Sequence, residues 1–204
     1  MKAYQFKIEL ENVKPLILRR FIVPADIPFR RLQHVIHEIM GWKNNHLYEF
    51  VFNEEPVVFT NDYQNIENYK YYKKNIKSCN NVPEYADFIL RMPIKSSMNI
   101  KIDKYVEKHP HFVYVYDFDE NWHHLVTLEK VIEDYPHKYP QCIEYDGAIP
   151  PSGIGGPDGF NQFYQLFEKD HKVINALEAT KGYGTKVSLD ELNDYLARFF
   201  RLKR

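Results

Sequence analysis

Acidic and imidazole side chains gather in two places: His46 and Glu49 near one strand start, and Asp117, Asp119, Glu120, His123 and His124 around a hairpin tip. Carboxylates and neutral imidazoles together bind divalent metals, and a metal-bound water is a nucleophile at neutral pH. The chemistry to test is metal-assisted hydrolysis of a phosphodiester or similar bond around His46, Glu49, Asp117, Asp119 and His124. The structural reading is favoured over it. Asp and Asn at a turn accept hydrogen bonds from nearby backbone amides, and His124, on the Trp122 face, fits a satisfied core histidine equally well.

Other constellations are weaker. His34 and His37 share a helix face, but His34-Val35-Ile36-His37-Glu38 has the order of neither H-E-x-x-H nor H-x-x-E-H, and no third ligand is identifiable. A solvated helix face is favoured. Gly153-Ile154-Gly155-Gly156 precedes a helix yet lacks the lysine and hydroxyl of a phosphate loop, so a tight connection is the better reading. Lys70, Lys73, Lys74 and Lys77 alternate with Tyr69, Tyr71 and Tyr72, offering charge for phosphates and rings for base stacking, and Arg198, Arg201, Lys203 and Arg204 add a basic end. Lysine, asparagine and tyrosine are equally the residues of an unconstrained insertion. Arg19 and Arg20 are adjacent in a strand, so at most one faces the core. That one requires a buried partner, for which Asp117 or Glu49 is the candidate.

The elements that must position these groups are legible from periodicity. Tyr4, Phe6, Ile8 and Leu10 alternate with Gln5, Lys7 and Glu9, a half-buried strand, and residues 15–23 form a second strand antiparallel to it. Pro28 opens a helix whose stripe is Phe29, Leu32, Ile36, Ile39 and Met40, stopped by Gly41. Residues 47–52 and 56–60 make a hairpin about Asn53-Glu54-Glu55. From Asn61 to about Lys77 no period is sustained, and about 61–100 reads as an insertion. The sheet resumes at residues 112–116 and returns along 122–128. Phe160, Phe163, Tyr164 and Phe167 then form an aromatic helical stripe, a short helix surrounds Val173, Ile174 and Leu177, and a last helix begins at the capping box of Ser188 and Glu191 with Leu189, Leu192, Leu196 and Phe199 on its apolar face. Strands gathered early and helices late predict one α+β domain over residues 1–204: a mainly antiparallel sheet packed against an N-terminal-half helix and C-terminal helices.

Composition bounds the function classes. A chain of 204 residues, 44% hydrophobic and 27% charged, is about one globular domain. Its 27 basic and 28 acidic side chains leave a formal charge of -1, so nucleic acid would have to be met by a local patch. Residues 1–8 have no secretory apolar core, and no apolar run approaches the roughly 18–20 residues of a membrane span. The expectation is a cytoplasmic protein without a membrane partner. Cys79 and Cys142 are too few for a cysteine-rich zinc site and are expected to stay reduced.

Several ordered motifs carry a resemblance: Pro15 to Arg20, Val23-Pro24-Ala25-Asp26-Ile27, Met40-Gly41-Trp42, His46-Leu47-Tyr48-Glu49-Phe50, then Tyr114 to His124, Leu128-Glu129-Lys130, Pro150-Pro151 and Gly155 to Phe160. Together they resemble the Ri-plasmid ORF-3-like family over nearly the whole chain outside about 61–100. The family is largely uncharacterised, and the resemblance implies a setting on plasmids and chromosomes, with some members labelled as resolvase-like transposon passengers. The chain departs from the family pattern at Leu18, where Trp is usual, and at Ile149, where many relatives carry a cysteine to accompany the one matching Cys142.

The recombinase label fails on residues. A serine recombinase needs its nucleophile near the end of the first strand, whereas the first serine here is Ser78. None of the nine histidines has an arginine three residues on, as a tyrosine recombinase would be expected to show. The sequence therefore leads to a non-enzymatic binding or accessory module, with mobile elements as the context the resemblance implies. Its alternatives are a metal-dependent hydrolase or nuclease using the Asp/Glu/His cluster, and a nucleic-acid-binding module using Lys70, Lys73, Lys74, Tyr71 and Tyr72. No cofactor is expected, a divalent metal belonging only to the hydrolase alternative.

Overall fold

The computed structural model describes residues 1–42, 46–76, 90–169, 183–184 and 186–201. Strand β1 (Ala3–Leu10) buries Tyr4, Phe6, Ile8 and Leu10 and turns Gln5, Lys7 and Glu9 outward, as period-2 patterning dictates. β2 (Leu18–Pro24) pairs antiparallel with it and begins later than expected, after Pro15, which has no N–H to give a ladder. Helix α1 (Phe29–Met40) lays Phe29, Leu32, Val35, Ile36, Ile39 and Met40 on the sheet. Gly41 ends α1 at φ 71°, where a Cβ would lie 2.1 Å from the Ile149 side chain.

The hairpin β3 (Tyr48–Phe52) and β4 (Val57–Thr60) forms as read. Beyond it the expectation of an unpatterned insertion is corrected: α2 (Tyr63–Asn75) is a helix capped by Asp62, whose carboxylate accepts from the Asn65 amide at 3.0 Å. Its pattern is faint because α2 buries only Ile66 and Tyr69, against Val58 and Ile94 on the outer sheet face. The same region supplies β5 (Ile94–Ser96), parallel to β4, and a short 3-10 turn at Ile102–Lys104.

β6 (His111–Tyr116) and β7 (Trp122–Ile132) form the second hairpin, and β8 (Gln141–Asp146), unmarked by the sequence reading, pairs with β2. The eight strands run β5-β4-β3-β6-β7-β1-β2-β8, antiparallel except for β4 and β5. α3 (Gly156–Lys169) buries Phe160 and Phe163, and α4 (Leu189–Phe199) starts at the expected cap, the Glu191 amide donating to Ser188 Oγ at 3.3 Å. Of the apolar face read for α4, Leu196 is buried but Phe199 is exposed. Asn193 of α4 clamps the open edge of β8, accepting from the Cys142 amide at 2.7 Å and donating to its carbonyl at 2.9 Å. The short helix expected around residues 173–177 lies outside the described residues.

Arg19 and Arg20 do point to opposite faces, but the expected carboxylate partner of the inner one is corrected. Arg19, fully buried, donates to the carbonyls of Ile39 at 3.0 Å, Leu18 at 2.7 Å and Gly147 at 3.1 Å, and to that of Asp146. Its guanidinium also stacks on the Tyr145 ring at 3.3 Å. Carbonyl oxygens freed at the end of α1 and at the β8 turn fill the planar donor fork without a second ion to desolvate. Arg20 meets the carboxylates instead, those of Glu129 and Glu144 on the solvated face.

Candidate functional site

The predicted cluster is brought together only in part. Asp117, buried at φ 58°, turns the chain after β6, and its Oδ1 accepts from the amides of Asp119 at 3.3 Å and Glu120 at 3.4 Å. That is the turn chemistry expected of an Asp at a hairpin tip. Its Oδ2 faces His46 Nε2 at 3.4 Å. Asp119 is exposed at the tip. Glu49 points to the outer face of β3, opposite Val115 and Thr60, where burial first and Asp62 second push its carboxyl up.

His124 is in the core. Its Nδ1 lies 3.0 Å from the Tyr114 carbonyl, which can only accept, so Nδ1 carries the proton and Nε2 is a buried lone pair with no hydrogen-bond partner in the described structure. Burial pushes this imidazole down to about 4. Among the described residues no group of three or more His, Cys, Asp and Glu is placed to hold a metal. What remains of the cluster is one imidazole–carboxylate pair, His46 and Asp117.

His46 leads to a site the sequence reading missed. It lines a cleft of about 620 Å³, within the range of small-molecule sites, between α1, the start of β3, the β4–α2 connection and the segment after β5. Arg30, Gln33 and His34 project from α1 at helical spacing, so the face read as solvated is one wall of this cleft. Tyr48 and Ser97 form its floor, with Tyr48 Oη 2.8 Å from Ser97 Oγ. Gln33, Tyr48 and Ser97 are 5%, 3% and 0% exposed. Leu47, Tyr63 and Met98 stand at the mouth, 43%, 73% and 51% exposed.

The electrostatics of the cleft are one-sided. Among the described residues no Asp or Glu lines it, and Arg30 has no carboxylate partner. Partial burial, then the charges of Arg30 and Arg31, lower the His34 imidazole, which leaves Arg30 as the fixed positive charge. The first amides of α1 are already engaged, Phe29 by the Ile100 carbonyl at 3.0 Å and Arg30 by that of Ser97 at 2.9 Å. These two amides are therefore not open at the helix terminus. A groove of about 730 Å³ beside α3 is larger, but its Asn161 is committed to the backbone of Asn12 and Lys14.

The lysine-tyrosine segment lies on α2. Lys70 and Lys73 line a groove of about 560 Å³ together with Lys95 of β5, which sequence reasoning did not single out. Lys70 is paired with Glu67 at 2.8 Å, and Lys73 lies over the Tyr69 ring at 5.6 Å. Lys74 and Tyr71 are exposed, and Tyr72 meets Tyr71 edge to face.

An α+β domain with one largely antiparallel sheet, a crossing helix and a polar cleft at the end of that helix is the class these features define. The chain belongs to the family of the Plasmid pRiA4b ORF-3-like protein, whose model matches residues 2–194. It is 27% identical over 159 residues to "Uncharacterized protein y4hQ" of Sinorhizobium fredii (strain NBRC 101917 / NGR234), covering 78% of this chain and 70% of that protein. In structure it is similar to the crystal structure of a protein of unknown function, MM3350, from Methanosarcina mazei Go1. The TM-score is 0.67 at 22% identity, over 92% of this chain and 93% of that one, a likeness of fold. No helix among the described residues is long and apolar enough to cross a membrane.

Proposed function

We propose that this protein is a non-enzymatic binding module whose ligand seat is the cleft between α1 and the segment after β5. The observation that carries the reading is the convergence of three almost fully buried polar side chains, Gln33, Tyr48 and Ser97, on the wall of a cleft whose mouth is apolar. Polar atoms withdrawn from bulk water but facing an open volume fix the orientation of a guest, while exposed apolar side chains at the mouth gain by being covered. His46, held by Asp117, borders the same space as a further polar contact. A fragment screen read by amide shift mapping tests this. Binders should move the amides of residues 30–34, 46–48, 61–66 and 96–98 together. Shifts that map elsewhere, or a screen without binders, overturn it.

A second reading, contact with nucleic acid, is supported by the meeting of Lys70, Lys73 and Lys95 at one groove. Binding of a labelled single-stranded oligonucleotide should weaken steeply with salt and further with Lys73→Glu. No mobility shift at low salt removes it.

A further inference from the structure

On the footing of the cleft reading, we propose that the ligand is an amphiphilic organic anion, its charged head held at Arg30 and an apolar, ring-sized body laid against Leu47, Tyr63 and Met98. The charge follows from the lining: Arg30 is unpaired among the described residues, no carboxylate there offsets it, and the neighbouring His34 imidazole is lowered by its partial burial and then by that same arginine. An arginine fork with no internal acceptor donates to a carboxylate, sulfonate or phosphate by charge-assisted hydrogen bonds.

Directionality comes from the depth of the polar groups. Gln33 and the Tyr48–Ser97 hydroxyl pair are buried in the wall and floor, close to Arg30 through the Arg30–Ser97 backbone bond. The Tyr48–Ser97 pair, in which one O–H donates to the other hydroxyl, leaves one O–H for a head seated there, and Gln33 reaches the Tyr114 hydroxyl behind it, while the alkyl and aromatic surfaces of Leu47, Tyr63 and Met98 stay outermost. Three large apolar side chains on one rim, each 43% or more exposed, are a patch that a purely polar ion would leave uncovered. A guest with both parts satisfies both ends of the cleft.

Two fluorescent probes that differ only in charge test this: 1-anilinonaphthalene-8-sulfonate and its neutral parent, N-phenyl-1-naphthylamine. The protein should bind one equivalent of the sulfonate about tenfold more tightly than the neutral compound, as a single charge-assisted contact gives. Arg30→Met should abolish that preference while keeping the affinity for the neutral probe, and Met98→Asp should weaken both. Both positions are exposed, and an unchanged near-UV dichroism spectrum checks the fold. Binding of neither probe, or indifference to Met98→Asp, overturns the cleft reading itself. Equal affinity for the two probes, with Met98→Asp still weakening both, leaves the cleft and overturns the anionic head. Displacement by benzoate or by phenyl phosphate, in preference to benzyl alcohol, supports the proposal and separates a carboxylate from a phosphate head; equal displacement by the alcohol contradicts it.

Discussion

The amide of Arg30 donates to the carbonyl of Ser97 at 2.9 Å, and the Ser97 hydroxyl lies 2.8 Å from that of Tyr48. Helix α1 is thereby fastened to the segment after β5 and, through it, to the start of β3, so the walls of the cleft are spaced by hydrogen bonds rather than by loop length. Ser97 is fully buried.

Ser97→Ala should therefore act on stability and binding together. It leaves the Tyr48 hydroxyl, itself buried, without its partner, a loss of about 1–3 kcal/mol. Urea unfolding gives the first effect, and titration with the sulfonate probe gives the second. A stable Ser97→Ala protein that binds the probe normally would remove Ser97 from the seat.

His124 makes the fold acid-sensitive. Its folded-state value is pushed down to about 4, against 6.5 for the ordinary imidazole, so between those values the unfolded chain binds the extra proton and stability falls as pH falls. The contribution is complete above the unfolded value and is lost progressively down to the folded one. At pH 5 the loss is about 2 kcal/mol relative to pH 7. His124→Gln keeps a donor for the Tyr114 carbonyl and removes the titration. The drop in urea midpoint from pH 7 to pH 5 should be smaller in the variant, and an equal drop would show that His124 is not its source.

Arg19 should not tolerate truncation. Arg19→Ala leaves the carbonyls of Ile39, Asp146 and Gly147 without their donor at the junction of α1 and β8, and removes the cation from the Tyr145 ring. The expected loss is about 3–5 kcal/mol, measured by chemical denaturation. Arg19→Lys should recover only part of it, because an ammonium lacks the planar fork. Full recovery by lysine would mean that charge alone matters there.

Gly156 reads out the docking of the hairpin tip. At φ 68°, an added Cβ would lie 2.4 Å from the Glu120 carbonyl oxygen, while Glu120 Oε1 accepts from the Gly155 amide and Oε2 from Trp122 Nε1, both at 2.9 Å. Gly156→Ala should destabilise by about 2 kcal/mol or more, from strained backbone and a displaced tip. A change within about 0.5 kcal/mol, the usual spread for surface positions, would show that the tip moves freely.

The sequence was most legible where one periodicity governs one face. β1 alternates strictly because one side meets the core and the other water, α1 shows a full apolar stripe, and Ser188 with Glu191 marks the start of α4. α2 was missed because two buried residues do not make a stripe, and β8 because an edge strand with Cys142 as its only buried residue carries little pattern. Of the candidate site, the sequence points to His46, while His34 reads as part of a solvated helix face. Gln33, Tyr48 and Ser97 gave no signal, since a glutamine within an apolar stripe, a strand tyrosine and a loop serine are unremarkable until α1 crosses the sheet end. The available clue was the line Arg30, His34 and His37, a polar face with a basic character at helical spacing.

The most direct test of the central claim is a crystal structure with 1-anilinonaphthalene-8-sulfonate bound. The account predicts density in the cleft, with the sulfonate at Arg30 and the rings against Leu47, Tyr63 and Met98. An empty cleft with the probe ordered elsewhere on the protein would contradict it.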